Sequence, residues 1–314
     1  MDGIINVYKE KGFTSHDVVA KLRGILHQKK IGHTGTLDPD ATGVLPVCIG
    51  KATKVCELLT DRSKSYTAVV KLGIVTDTQD MTGTVIREQE AEVNLEEIKE
   101  AAAGFTGEIW QTPPMYSAVK VNGKRLYELA RQGIEVERKK RKITVYSCEV
   151  TEYHPETKEF TMEVTCSKGT YIRTLCHEIG EALSCGACMA SLVRTAVEPF
   201  SLSEAHTLSQ IEEFCQAGRL EEILMPVDGL FENFPKVIVS AEGLRYLRNG
   251  NVLGEELCEV SAPASHGSAG YSSACDGSMV RMYDAEGRFY ALYRYDSSRS
   301  AFINEKMFFN HIEG

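Results

Sequence analysis

The segment Gly32-His33-Thr34-Gly35-Thr36-Leu37-Asp38-Pro39-Asp40-Ala41-Thr42-Gly43 constrains the chain most. Its glycines are costly to order and its proline removes an amide donor, so neither helix nor strand can run through it. Apolar runs lie on both sides: Val18 to Leu26 has helical spacing, and Val44 to Ile49 is nearly continuous. A polar loop between two such elements must be held against a core. Pro39 also confines Asp38 to an extended backbone. A carboxylate fixed on such a loop suits a nucleophile or a general base. The alternative is a turn aspartate that bonds its own backbone. Spacing leaves both open, and His33 taken alone reads as structural.

Around this loop the elements follow in order. Ile4 to Tyr8 reads as a strand, and Thr14, Ser15 and Asp17 open a helix. Tyr66 to Leu72 alternates as a strand. Asn94 with Glu97 forms a capping box for a helix that Gly104 can end. Residues 143–150 and 160–166 look like paired strands, and 170–183 and 208–217 look like helices. Beyond Met225-Pro226-Val227-Asp228 the pattern shifts to short strands at 236–239, 279–283 and 289–293. Within that region, residues 261–278 are rich in Ser, Ala and Gly and read as a flexible loop. No internal repeat is evident.

Composition narrows the class. A chain of 314 residues that is 43% hydrophobic and 25% charged is expected to be globular, with two domains. It has no apolar run long enough for a membrane span and no signal-like N-terminus, so a cytoplasmic location is expected. Free thiols fit that compartment. Cys185-Gly-Ala-Cys188 alone among the cysteines has metal or redox spacing; without a second pair it reads as a buried helical pair, and no metal is expected. A net charge of −9, most of it beyond residue 200, is unfavourable for a nucleic-acid binder. Local stripes could still act: Lys21 to Lys30, Lys51 to Lys64, and Arg138-Lys139-Lys140-Arg141-Lys142. Each could equally be a solvated face.

Two further clusters carry candidate chemistry. In Ser167-Lys168-Gly169-Thr170-Tyr171-Ile172-Arg173, the arginine could pair bidentately with a carboxylate or simply face water. Gln111 to Arg125 joins two prolines, an aromatic and three cations, which suits a loop lying on a polyanion. Packing of Met115 and Tyr116 into a core is the alternative.

Taken in order, five stretches resemble the TruB family of bacterial tRNA pseudouridine synthases. They are Lys9 to Val19, Gly32 to Lys54, Lys64 to Gly83, Gln111 to Gly133 and Cys166 to Gly180. The likeness covers about residues 4–230 and continues weakly beyond. It implies an α+β pseudouridine synthase fold, with a mixed, largely antiparallel sheet and flanking helices. Residues 1–230 would be the catalytic domain, with an RNA-clasping insertion at about 105–142. Residues 231–314 would be a small β-rich, PUA-like RNA-binding domain.

The activity implied is isomerisation of uridine 55 in the TΨC loop, by base flipping and a catalytic aspartate. Asp38 matches that aspartate. Arg173 matches its partner, expected to keep it ionised; Tyr66 matches a tyrosine stacking on the target base; His33 matches a histidine inserting into the RNA loop. Leu192 would line the uracil pocket and Tyr171 would contact substrate. RNA-backbone candidates are Lys9, Lys64, Lys120, Lys124, Arg125, Arg131 and the run Arg138, Lys139, Lys140, Arg141 and Lys142. No cofactor is implied. The partner would be the tRNA T-arm stem-loop, with no membrane, no obligatory protein partner and a monomeric enzyme. The chain departs from the family pattern at Lys9-Glu10 (Lys-Pro in the family), at Leu192-Val193-Arg194-Thr195 (one arginine fewer) and at Glu178 (an aspartate in the family). Two rival readings are a guide-RNA-dependent relative and a non-catalytic tRNA-folding factor.

Overall fold

A computed structural model of the chain describes residues 1–261 and 275–308. β1 (Gly3–Lys9) leads through a turn to α1 (Ser15–Ile25), where Thr14 and Asp17 cap each other reciprocally as the sequence suggests. β2 (Ile31–His33) and β3 (Thr42–Ile49) bracket the polar loop. α2 (Cys56–Thr60) precedes β4 (Lys64–Leu72), whose alternating burial follows its alternating sequence. The hairpin β5 (Ile74–Thr76) and β6 (Val85–Glu88) follows, then α3 (Leu95–Ala103) with its Asn94–Glu97 capping box. β7 (Gly107–Gln111), the small hairpin β8 (Lys120–Val121) and β9 (Lys124–Arg125), and α4 (Leu126–Ala130) come next.

The long hairpin β10 (Arg141–His154) and β11 (Glu159–Cys166) runs into α5 (Ile172–Ala182) and β12 (Ala187–Val197). β13 (Phe200–Ser201), α6 (Leu208–Gln216) and β14 (Leu224–Met225) complete this part. The main sheet runs β14-β1-β3-β12-β4-β11-β10-β7, with β2 and β13 attached at β3 and β12. Within it the β3–β12 pair is parallel and the other pairs are antiparallel. α3 and α5 bury their apolar faces against β4, β10, β11 and β12, while α1 and α6 cover β1 and β3.

From β15 (Lys236–Val239) a second sheet begins. It adds α7 (Leu244–Arg248), β16 (Leu253–Gly254), β17 (Cys258–Ser261), β18 (Met279–Tyr283), β19 (Phe289–Asp296) and β20 (Ala301–Met307). Its order is β16-β20-β19-β18-β15-β17. The loop expected at 261–278 falls largely outside the described residues, which omit 262–274. The two sheets meet in one apolar cluster: Val44, Cys48, Val55 and Leu59 pack with Val227, Phe231, Phe289, Leu292 and Phe308. Lys54 Nζ also donates to the carbonyl of Phe308 at 2.9 Å.

One expectation is corrected here. Cys185 and Cys188 are buried, but they are not a helical pair. Gly186, at φ +70°, turns the chain after α5, and Cys188 lies on β12.

Candidate active site

Two irregular segments converge on the first turn of α5. That turn is set by Gln111, whose side chain accepts the Tyr171 N–H at 2.8 Å and donates to the Tyr171 carbonyl at 3.1 Å. It presents Arg173, 6% exposed, to the polar loop. Arg173 Nε lies 2.9 Å from Asp38 Oδ2, and Nη2 donates to Asp38 Oδ1 at 3.2 Å. Nη2 also donates to the Tyr116 carbonyl at 2.9 Å, and Nη1 to the Thr78 carbonyl at 3.1 Å. Such a fork holds a carboxylate in one plane, which a flexible ammonium cannot do.

The Asp38 loop is pinned from beneath. Leu37 N–H donates to Ser15 Oγ at 3.0 Å, and Gly12 N–H donates to the Pro39 carbonyl at 3.0 Å. Lys9 Nζ donates to the carbonyls of Pro39 and Ala41 at 3.0 and 2.6 Å. Leu37 and Ala41 are buried with Tyr66, Leu192 and Ile172 in one cluster. Gly43, at φ +106°, passes so near β12 that a Cβ would sit 2.2 Å from the Arg194 carbonyl oxygen. With its backbone fixed in this way, the Asp38 side chain stays 39% exposed.

Arg194 is fully buried behind the loop. It donates to the carbonyls of Val44 at 2.7 Å and Gly35 at 3.3 Å. The arginine retained in the Leu192-Val193-Arg194-Thr195 pattern thus faces inward, under the site. Opposite it, Asp80 stands with Oδ2 3.7 Å from Arg173 Nη1. Its Oδ1 is fixed by the Thr78 hydroxyl at 2.7 Å and by the Thr82 N–H at 2.9 Å. Asp80 and Thr78 do not stand out in the sequence as site residues, and Tyr116 and Arg194 stand out there only as part of a polyanion-facing loop and of a departure from the family pattern. Most of their partners are remote in the chain, and no spacing pattern marks them.

Electrostatics follow from this packing. Burial pushes the Asp38 carboxyl up; Arg173 opposes that, Asp80 adds to it, and the net direction is upward. Desolvation is thus the larger effect, and Arg173 works against it, the role expected of this arginine. Burial also pushes the Tyr66 phenol up, so it stays protonated at neutral pH. His33, at the end of β2, accepts the Gly35 N–H on Nδ1 at 3.3 Å and meets the His16 ring edge-on at 5.2 Å. Burial, then the neighbouring His16 and Arg194, lower it to about 4.

Two cation assignments are corrected. Lys9 is fully buried, and its ammonium is consumed by backbone carbonyls, so it does not reach a phosphate. Lys64 is likewise buried and donates to the carbonyls of Thr60 and Arg62 at 2.9 and 2.7 Å. Desolvation lowers both to about 8. Lys120, Lys124, Arg125 and Arg131 are exposed on the segment between β7 and β10. Lys139, Lys140, Arg141 and Lys142 are exposed where β10 begins; Lys142 pairs with Glu108 at 2.9 Å. Arg138 is turned inward and donates to the Pro113 carbonyl at 3.3 Å. Among the described residues, no group of three His, Cys, Asp or Glu side chains could hold a metal ion.

Comparison with known proteins adds sequence and fold likeness to this geometry. Residues 23–172 match "TruB family pseudouridylate synthase (N terminal domain)", and residues 173–232 match "tRNA pseudouridylate synthase B C-terminal domain". The chain is 52% identical to "tRNA pseudouridine synthase B" of Lachnoclostridium phytofermentans, over 98% of this chain and 100% of that one. It is 50% identical to the protein of the same name from Alkaliphilus oremlandii, over 80% of this chain and 82% of that one. Among solved structures, a "Cbf5-Nop10-Gar1 Complex" contains a chain similar at 29% identity and a TM-score of 0.70, covering 98% of this chain and 85% of that chain. A second, an "H/ACA RNP bound to a substrate RNA containing 2'-deoxyuridine", gives 27% identity and a TM-score of 0.69, with the same coverage.

Proposed function

Because the chain belongs to the TruB family of pseudouridylate synthases, an isomerase acting on tRNA, we propose that it modifies uridine 55 of the T-arm with Asp38 as its catalytic group. The fold is that of pseudouridine synthases, with a C-terminal sheet consistent with a PUA-like domain. The observation that carries the assignment of Asp38 is its two-point pairing with a buried arginine while its own side chain keeps 39% exposure.

The reaction breaks the bond from ribose to N1 of uracil, turns the base and rejoins it through C5. Attack on the sugar, addition to the base and removal of a sugar proton all call for the same ionised carboxylate, held beside both sugar and base. Arg173 supplies that orientation and favours the charged form. The target base must leave its stack, at a cost of a few kcal/mol. Tyr66, backed by Leu37 and Leu192, offers it an apolar and aromatic wall. With its phenol protonated, Tyr66 acts as a surface and a hydrogen-bond donor rather than a base. The neutral His33 can enter the gap in the RNA loop without carrying a charge into stacked bases.

We place catalysis in residues 1–230, RNA clasping in 105–142 and further RNA contact in 231–314. The exposed cations of 120–131 and 139–141 are available for phosphates, which fits a chain whose overall charge is unfavourable. The enzyme would work alone, as a monomer, in the cytoplasm where its tRNA is. No helix among the described residues is long and apolar enough to cross a membrane.

The test is to treat an unmodified tRNA and an isolated T-arm stem-loop with purified protein and to map pseudouridine by carbodiimide-dependent primer-extension stops. Product at position 55 with protein alone supports the reading. A requirement for a guide RNA and partner proteins overturns it.

A further inference from the structure

Ten cysteines are scattered along the chain, and none is needed by the chemistry above. Five of them, Cys148, Cys166, Cys176, Cys185 and Cys188, are buried, and burial pushes their thiols up, which makes them inert. Cys48 and Cys56 differ. Cys48 lies on β3 directly across from Gly32 of β2. Residues paired in this way project to the same face of a sheet, with Cβ positions about 5 Å apart. A Cβ built on Gly32 would lie 3.3 Å from Cys56 Sγ, so that sulfur rests on the face of the sheet to which Cys48 also projects. Both cysteines belong to the same apolar cluster, Cys48 fully buried within it and Cys56 half-buried at its margin.

We propose that Cys48 and Cys56 form a reversible oxidation site, closed to an intramolecular disulfide by a two-electron oxidant of the peroxide class. The outer sulfur attacks first. Cys56, as thiolate, displaces hydroxide from the peroxide oxygen and becomes a sulfenic acid. The Cys48 sulfur then attacks the Cys56 sulfur; its proton leaves with the departing hydroxide as water. In sum, two thiols and one hydrogen peroxide give one disulfide and two waters. The order of attack fits the local setting: Cys56 is half-buried at the margin and Cys48 is enclosed, and the influence of each thiol on the other lowers Cys56 and, with burial, raises Cys48. The bond would tie β3 to α2. α2 also carries Thr60, whose hydroxyl donates to the Thr34 carbonyl beside His33 at 3.1 Å.

The experiment is limited peroxide treatment of the whole protein, alkylation, and tryptic mapping without reductant. Lys51 and Lys54 lie between the two cysteines, so trypsin separates them and a disulfide appears as a linked peptide pair, lighter by two hydrogens and released by dithiothreitol. The exposed Cys275 is the internal control for oxidant delivery. We expect the Cys48–Cys56 pair to link while Cys275 remains largely free. In Cys48→Ser, the link should vanish and Cys56 should be trapped as a sulfenic acid by dimedone. Oxidation of Cys275 with Cys48 and Cys56 still unlinked overturns the proposal. So does oxidation of Cys56 in the parent protein that never proceeds to the link.

Discussion

Arg173 meets Asp38 edge-on, Nε to Oδ2 at 2.9 Å and Nη2 to Oδ1 at 3.2 Å, across 135 residues of chain. The guanidinium is buried and the carboxylate only half-buried, so the fixed partner orients the reactive one.

Removing the charge of Asp38 with the shape retained isolates its role. Asp38→Asn is expected to lower pseudouridine formation by at least about 10²–10⁴-fold. Binding of tRNA should stay within a few-fold of the parent protein by filter retention. Residual turnover close to normal would remove Asp38 from the chemistry.

Arg173→Lys puts one mobile ammonium where three acceptors now converge: Asp38 and the carbonyls of Thr78 and Tyr116. A carboxylate displaced by about 1 Å suffices for a roughly 100-fold loss of rate. Leaving a buried carbonyl unpaired costs about 1–3 kcal/mol. Single-turnover kinetics and a thermal melt should therefore both register the change. A variant with normal turnover would show that the pairing is dispensable.

The raised Asp38 carboxyl gives the pH profile a sign. An ordinary aspartate ionises near 3.9. Burial places Asp38 above that, so the rate is lost earlier on acidification and regained as pH rises through the shifted value. Asp80 contributes to the upward shift by like charge. Asp80→Asn keeps an Oδ1 acceptor for Thr78 and Thr82 but removes that charge. The acid limb of the single-turnover rate should then move to lower pH. A limb that stays in place, or moves up, refutes the electrostatic role of Asp80.

His33 predicts acid sensitivity of the fold. Its value is about 4 in the folded chain and near 6.5 when unfolded. Between those values the unfolded chain binds a proton that the folded chain does not, so stability is full above 6.5 and is lost as pH falls toward 4. In urea titrations, His33→Gln should lose less stability over that window than the parent protein does. Equal losses would mean that His33 is not the group responsible.

The basic run yields to a salt titration. Lys139, Lys140 and Arg141 are exposed, whereas Arg138 and Lys142 have protein partners. Changing those three to glutamine should weaken tRNA binding and flatten the plot of log affinity against log salt by about one for each phosphate no longer neutralised. An unchanged slope would make the run a solvated face.

Much of the fold is legible because it is written locally. The Thr14–Asp17 and Asn94–Glu97 capping boxes start helices where the sequence places them, and the alternation of β4 sets its buried face. The site is legible only in part. A loop with three glycines around Asp38 announces itself, and the family resemblance supplies Arg173. Lys9 and Lys64 mislead because a lysine in sequence carries no sign of whether its ammonium faces water or a set of backbone carbonyls. That distinction arises from tertiary packing, such as the approach of Lys9 to Ala41. Arg194 is hidden for the same reason. Cys188 reads as helical in the sequence because the turn at Gly186 depends on close packing with Val75.

The shared seam of the two sheets has a practical corollary. Val44, Val55 and Leu59 from the first sheet's side are covered by Phe231, Phe289 and Phe308. Trimming the chain after residue 230 would leave this patch wet and sticky, next to the strand that leads out of the Asp38 loop. The carboxy-terminal piece is thus no detachable accessory. On heating, the halves should come apart in one calorimetric peak, and a shortened clone should precipitate rather than work more slowly.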